Sequence, residues 1–362
     1  MRIFKKVFSL LLVLCFMFTF SVSALAANYT AATFADMETA FADESGEDVN
    51  IDVTADILFG GGLYGKEGIT YTIGSSNDSV LHNSSFDGAG TVNVQTDLEG
   101  GTGLDVGGDV RVNVSGDIAA EGDGVFAYDN AEVTVTGDIT AGANGVAALD
   151  NASVTVNGSI ESTGSDGVYA ADNAAVSVNG NITGWDDAVE AGGSANVRVV
   201  GDLEGAYGAY AYGDAQVSVT GEVNGSTTGV LTSEAPRITV TGNVNGGVNA
   251  AGDTHITVNG DVHGKEGNPD EVDPDDPAGY SDGGCGVSAD GSSTVAVTGD
   301  VTGGTGYGPD GWGGDGVSAL GSASVTVGGD VVGGDAFLLG LFLLVDHPHA
   351  VVDIARGCCS EQ

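Results

Sequence analysis

The chemistry-bearing residues of this chain are its acids and its aromatics. Of 362 residues 51 are Asp or Glu against nine Lys or Arg, a formal net charge of −42. Seven of the acids follow a recurring glycine: Asp117, Asp138, Asp202, Glu222, Asp261, Asp300 and Asp330. A second group, Asp270, Asp273, Asp275 and Asp276, lies in a proline-punctuated stretch. Carboxylates are hard oxygen donors, so both groups are candidate Ca²⁺ ligands. The simpler reading of the first group is turn chemistry, because Gly-Asp suits a tight corner. Ser159, Asn181 and Asn243 replace the acid in three places, and the Gly-Gly-x-Gly-x-Asp nonapeptide of calcium-binding β-rolls is missing. No cofactor is expected, Ca²⁺ being the one candidate ion.

The aromatics suggest sugar stacking. Phe126 and Tyr169 occupy the variable position of Gly-Val-x-Ala, and Tyr210 that of Gly-Ala-x-Ala. Tyr128, Trp185, Tyr207 and Tyr212 lie nearby, and Tyr280, Tyr307 and Trp312 sit in or beside two irregular stretches. Exposed rings next to acids and amides can stack on a sugar; the alternative is ring packing along the fold. A third pattern, a Thr/Ser row from Thr134 to Thr326, is broken by Arg198 and reads as ordinary exposed strand chemistry.

Catalysis is disfavoured. No acid is singled out by an odd context, bases are scarce, and the five histidines form no metal-ligand motif. The acidic surface excludes nucleic acid as a partner and repels anionic membranes. Cys285, Cys358 and Cys359, with Cys15 inside the first apolar run, make neither a disulfide framework nor a metal site.

The elements that must position these residues follow from one repeat, Val-x-Val-x-Gly-Asp-Ile, a turn, Gly-Val-x-Ala and another turn. Its glycine falls at Gly116, Gly137, Gly158, Gly180, Gly201, Gly221, Gly242 and Gly260, in steps of 18 to 22 residues. A period of that size without helix signals predicts a stacked β-solenoid. With Thr96, Gly299 and Gly329 the markers give eleven coils, a rod on the order of 50 Å at about 4.8 Å per coil. Stacked corner acids would then repel by roughly 0.9 kcal/mol per pair in water-like dielectric. Alternation points Val133, Val135, Ile139, Val146 and Ala148 inward and Thr134 and Thr136 outward.

The expected organisation has four parts. Residues 1–26 read as a secretory signal: Arg2, Lys5 and Lys6, an apolar run, then Ala24-Leu25-Ala26. Residues 27–91 form an N-terminal cap, with a short amphipathic helix within 30–43 (Ala31, Phe34, Met37, Ala40, Phe41) and irregular strands at Val49–Val53 and Ile69–Ile73. Residues 92–334 are the repeats, with insertions at 265–282 and 305–315 that both enter at the turn before the Gly-Val strand and should emerge from one edge. Residues 335–362 are an atypical cap or a truncated tail; the apolar run 337–345 is too short to span a bilayer.

Three early segments carry a resemblance: Phe34 to Phe41, Asn50 to Ile57 and Ile69 to Gly74. With the repeats, they resemble secreted bacterial right-handed parallel β-helix proteins, the pectate-lyase-like and adhesin-like group. The resemblance implies an all-β right-handed parallel β-helix of about eleven coils, each about 21 residues, at the cell surface or outside the cell. Its expected role is non-enzymatic, adhesin-like or structural, with glycans or cell-surface components as partners. The alternatives are a polysaccharide-active lyase or hydrolase and a calcium-stabilised surface-layer component. Long loops on a rigid scaffold concentrate function, so the insertion edge is the expected binding place.

Overall fold

The computed structural model describes residues 26–268, 281–308 and 311–337. The described chain is an all-β parallel solenoid of about eleven coils with one helix. Each regular coil contributes three short strands, such as Glu132–Val135, Ile139–Ala141 and Val146–Ala148. These stack on the equivalent strands of the next coil in parallel register: Val133 on Val154, Ile139 on Ile160, Val146 on Val168. The inside of the regular coils is mainly aliphatic. Val133, Val135, Ile139, Val146 and Ala148 are all buried, whereas Thr136 is exposed and Thr134 half-exposed, as the alternation predicts.

Coil-to-coil approach explains the repeated glycine. A Cβ on Gly137 would lie 2.4 Å from the Gly116 carbonyl oxygen, and one on Gly158 would lie 2.3 Å from that of Gly137. A Cβ does not fit at these corners, so they select glycine from Gly116 onward, Thr96 standing at the first. A second conformational demand was not read from the sequence. One residue per coil adopts positive φ at the corner between the third strand and the next coil: Asp129 (58°), Asp150 (56°), Asp172 (59°), then Gly193, Gly213 and Glu234 (70°). Asp and Gly tolerate this region; Glu234 occupies it under strain.

The N-terminal segment differs from expectation in being more regular. Ala27–Ala31, Val49–Val53 and Thr70–Ser75 pair in parallel with one another, and the last pairs with Leu81–Val94, so they extend a ladder of the solenoid. The helix runs Phe34–Phe41 and starts at a capping box between Thr33 and Asp36. Ala31 closes a strand instead of joining the helix. Met37, Ala40 and Phe41 are buried, and Phe41 stacks on Tyr71 at 4.1 Å between ring centroids. Among the described residues no helix is long and apolar enough to cross a membrane.

The insertions leave from the same turn on adjacent coils, as their sequence positions predict. The first follows Val262–Gly264 and the second follows Val301–Thr302, strands paired through Val262 and Val301. They also bond to each other, with the Gly267 amide donating to the Thr305 carbonyl at 2.8 Å.

Candidate functional site

The corner acids have a structural occupation. The Asp138 amide donates to Asp117 Oδ1 at 2.9 Å, and the Ser159 amide to Asp138 Oδ1 at 2.8 Å. The ladder continues through Asn181, Asp202, Asn243, Asp261 and Asp300, each accepting from the following corner. An amide oxygen serves as well as a carboxylate here, which explains Asn181 and Asn243. Asp270, Asp273, Asp275, Asp276 and Tyr280 lie outside the described residues. Tyr307 forms a bridge with Ser281. Trp312 is 59% exposed, and its backbone amide donates to Asp282 Oδ1. The Thr/Ser row is interrupted where Arg198 stacks between Ser177 and Ser218.

Phe126, Tyr169 and Tyr210 do share one row of the third ladder. Stacked in order, that row reads Asp105, Phe126, Ala147, Tyr169, Glu190, Tyr210. The aromatics alternate with other residues, so they do not form a continuous ring stack. Instead each end of the row pairs an acid with a tyrosine from the next coil. Tyr212 swings over Gly192, where a Cβ would sit 2.3 Å from its ring, and comes within hydrogen-bonding reach of Glu190 and Tyr169. Tyr128 does the same over Gly107, beside Asp105. Each pair carries a neighbouring ring, Tyr210 at 5.4 Å from Tyr212 and Phe126 at 5.5 Å from Tyr128. The signal was present in the sequence: acid-x-Gly, then aromatic-x-Tyr one coil later, at Asp105/Phe126 and again at Glu190/Tyr210.

Glu190 belongs to a group that sequence reasoning missed altogether. Asp166, Asp187 and Glu190 each place a carboxylate oxygen within 4.8 Å of the others. Asp166 and Asp187 are only 7% and 4% exposed, and Glu190 is half-buried. A second ladder brings the two aspartates together. The Asn144 amide donates to Asp123 Oδ1, the Asp166 amide to Asn144 Oδ1 and the Asp187 amide to Asp166 Oδ1. At Asp187 the ladder stops. In the next coil the Ala206 and Tyr207 amides donate to the Asp186 carbonyl instead, and Asp187 Oδ1 is buried without a hydrogen-bond partner.

The electrostatics follow from that burial. Desolvation, then the charges of Asp166, Asp186 and Glu190, pushes the Asp187 carboxyl up to about 8. Burial raises Asp166 as well, partly offset by the Asp187 amide. Burial and the neighbouring Asp166 raise Glu190, while the Tyr212 hydroxyl holds it back. Tyr212 is itself raised, by burial first and then by Tyr169 and Glu190.

Two residues before Asp187, Trp185 projects into solvent, 69% exposed. It borders a shallow groove of about 490 Å³ on the neighbouring face, lined also by Ser162, Thr183, Glu204, Asn224 and Asn245. The outward row Thr183, Glu204, Asn224, Asn245 continues in register to His263 and Thr302. The groove therefore lies along the edge from which both insertions emerge. No family model, curated protein or solved structure matches the chain.

Proposed function

We propose that the chain is a secreted, non-enzymatic solenoid of the adhesin-like or structural kind, and that it takes a glycan along the Trp185 groove. The resemblance to secreted bacterial β-helix proteins and the signal-like residues 1–26 support the extracellular setting. The groove carries the functional reading. An exposed indole gives a stacking platform, and Thr183, Glu204, Asn224 and Asn245 give donors and acceptors suited to sugar hydroxyls. The core faces repeat without individuality, whereas this edge is where the chain departs from its rule.

A polysaccharide-active enzyme is the second reading, favoured by the three clustered carboxyls. Their burial weighs against it. A general acid or base must touch the bond it acts on, and Asp166 and Asp187 are over nine-tenths covered. The test is a glycan array probed with the chain and with Trp185→Ala, alongside an assay for new reducing or unsaturated sugar ends. Binding lost in Trp185→Ala with no new ends is the expected result. Unchanged binding overturns the groove; new ends that disappear in Glu190→Gln establish the enzyme.

A further inference from the structure

We infer that Asp166, Asp187 and Glu190 form a binding site for a hard divalent cation of the Ca²⁺ type, held inside the stack and separate from the Trp185 groove. Three carboxylates crowded together are not a site on that ground alone, because exposed acids cluster freely in so acidic a chain. The distinguishing observation is Asp187. It is 4% exposed, and its Oδ1 faces no donor among the described residues. Every preceding member of its ladder, Asp123, Asn144 and Asp166, has its side-chain oxygen engaged by the next backbone amide. The chain withdraws that amide at Asp187, where Tyr207 bonds to the Asp186 carbonyl. An orphaned buried oxygen needs a positive partner.

The geometry fits an ion. Oxygens bound to one Ca²⁺ at about 2.4 Å can be no more than about 4.8 Å apart, and the three carboxylates meet that limit. Each offers one oxygen within that limit, and the Tyr212 hydroxyl lies beside Glu190. Mg²⁺ demands a stricter octahedron and dehydrates reluctantly, so the larger ion is the better occupant. The groups that face the cluster are Asp186, Tyr169, Tyr212 and, in register with Asp187, Tyr207. None is basic, so among the described residues no side chain supplies the missing charge.

Terbium(III) is the probe, since it replaces Ca²⁺ and is sensitised by nearby tyrosine. Titration of the whole chain, in enough NaCl to screen surface acids, should give saturable emission that Ca²⁺ competes away. Asp187→Asn should weaken it by about tenfold or more, while Asp138→Asn, on the corner ladder, should leave it unchanged. Circular dichroism checks that each variant folds. If Asp187→Asn does not, Glu190→Gln gives the same comparison at a half-buried position. Ca²⁺ should also raise the melting temperature of the wild type more than that of Asp187→Asn at matched ionic strength. Equal terbium emission in wild type and Asp187→Asn, or an equal Ca²⁺ shift in the two, overturns the site. Neither result touches the Trp185 groove, which is tested by glycan binding.

Discussion

Two columns of acids run up this solenoid, and they behave oppositely. The corner column of Asp117 and Asp138 is exposed, and each carboxylate accepts the next coil's amide at 2.8–2.9 Å. The column ending at Asp187 begins in the same way and then loses its donor inside the protein. One residue type therefore acts as ladder rung in one place and as a buried acid without a donor in the other. Water and a backbone N–H decide which, since an accepted bond stabilises the charged form and burial without one opposes it.

The comparison predicts a range of effects. The largest comes from placing a charge where neither water nor a donor exists. Val135→Asp buries an unpaired carboxylate in the aliphatic core and should cost on the order of 5 kcal/mol. Thr134→Asp, one residue away on the outer surface, should be tolerated. Similar melting temperatures for the two variants would contradict the in/out alternation. Gly158→Ala tests the close approach that lets either ladder form. A Cβ 2.3 Å from the Gly137 carbonyl should cost about 1–3 kcal/mol in urea unfolding.

The two acid columns should separate most clearly by pH in a chelating buffer. Asp187 has an ordinary carboxyl pKa when unfolded and one of about 8 when folded, so folding takes up a proton between those values. Its contribution to stability is therefore complete in acid and declines as pH rises towards 8. Asp187→Asn should flatten that decline, and an unaltered slope in the variant would assign the pH dependence elsewhere. On the corner column, Asp138→Ala removes an acceptor and should cost about 1 kcal/mol at any neutral pH. Asp138→Asn keeps the acceptor, as Asn181 and Asn243 do, and should fall within about 0.5 kcal/mol of wild type.

Much of the fold was legible from single residues. The Val-x-Val alternation, the glycine markers and the entry points of the insertions are local properties, and each coil imposes them again on the next. The capping helix was legible in type, though Ala31 belongs to the preceding strand because Ala27–Ala31 pairs with Val49–Val53. The positive-φ corner at Asp129, Asp150 and Asp172 was written in the sequence as Asp-Asn-Ala, but the run reads equally well as a plain polar turn.

The candidate site was not legible, for a physical reason. Asp166, Asp187 and Glu190 look like any of the other acids along the chain, because a sequence does not state which amide faces which oxygen. Their special character depends on three tertiary events: stacking that aligns Asp166 with Asp187, the loss of the next coil's donor at Tyr207, and the reach of Tyr212 over Gly192. The sequence by itself determined a parallel stack of coils, its aliphatic interior and its acidic surface, since these follow from a period and an alternation. Only the tertiary structure decided which carboxylates are screened by water and which are sealed away from it, because burial and hydrogen bonding belong to neighbours brought together from different coils.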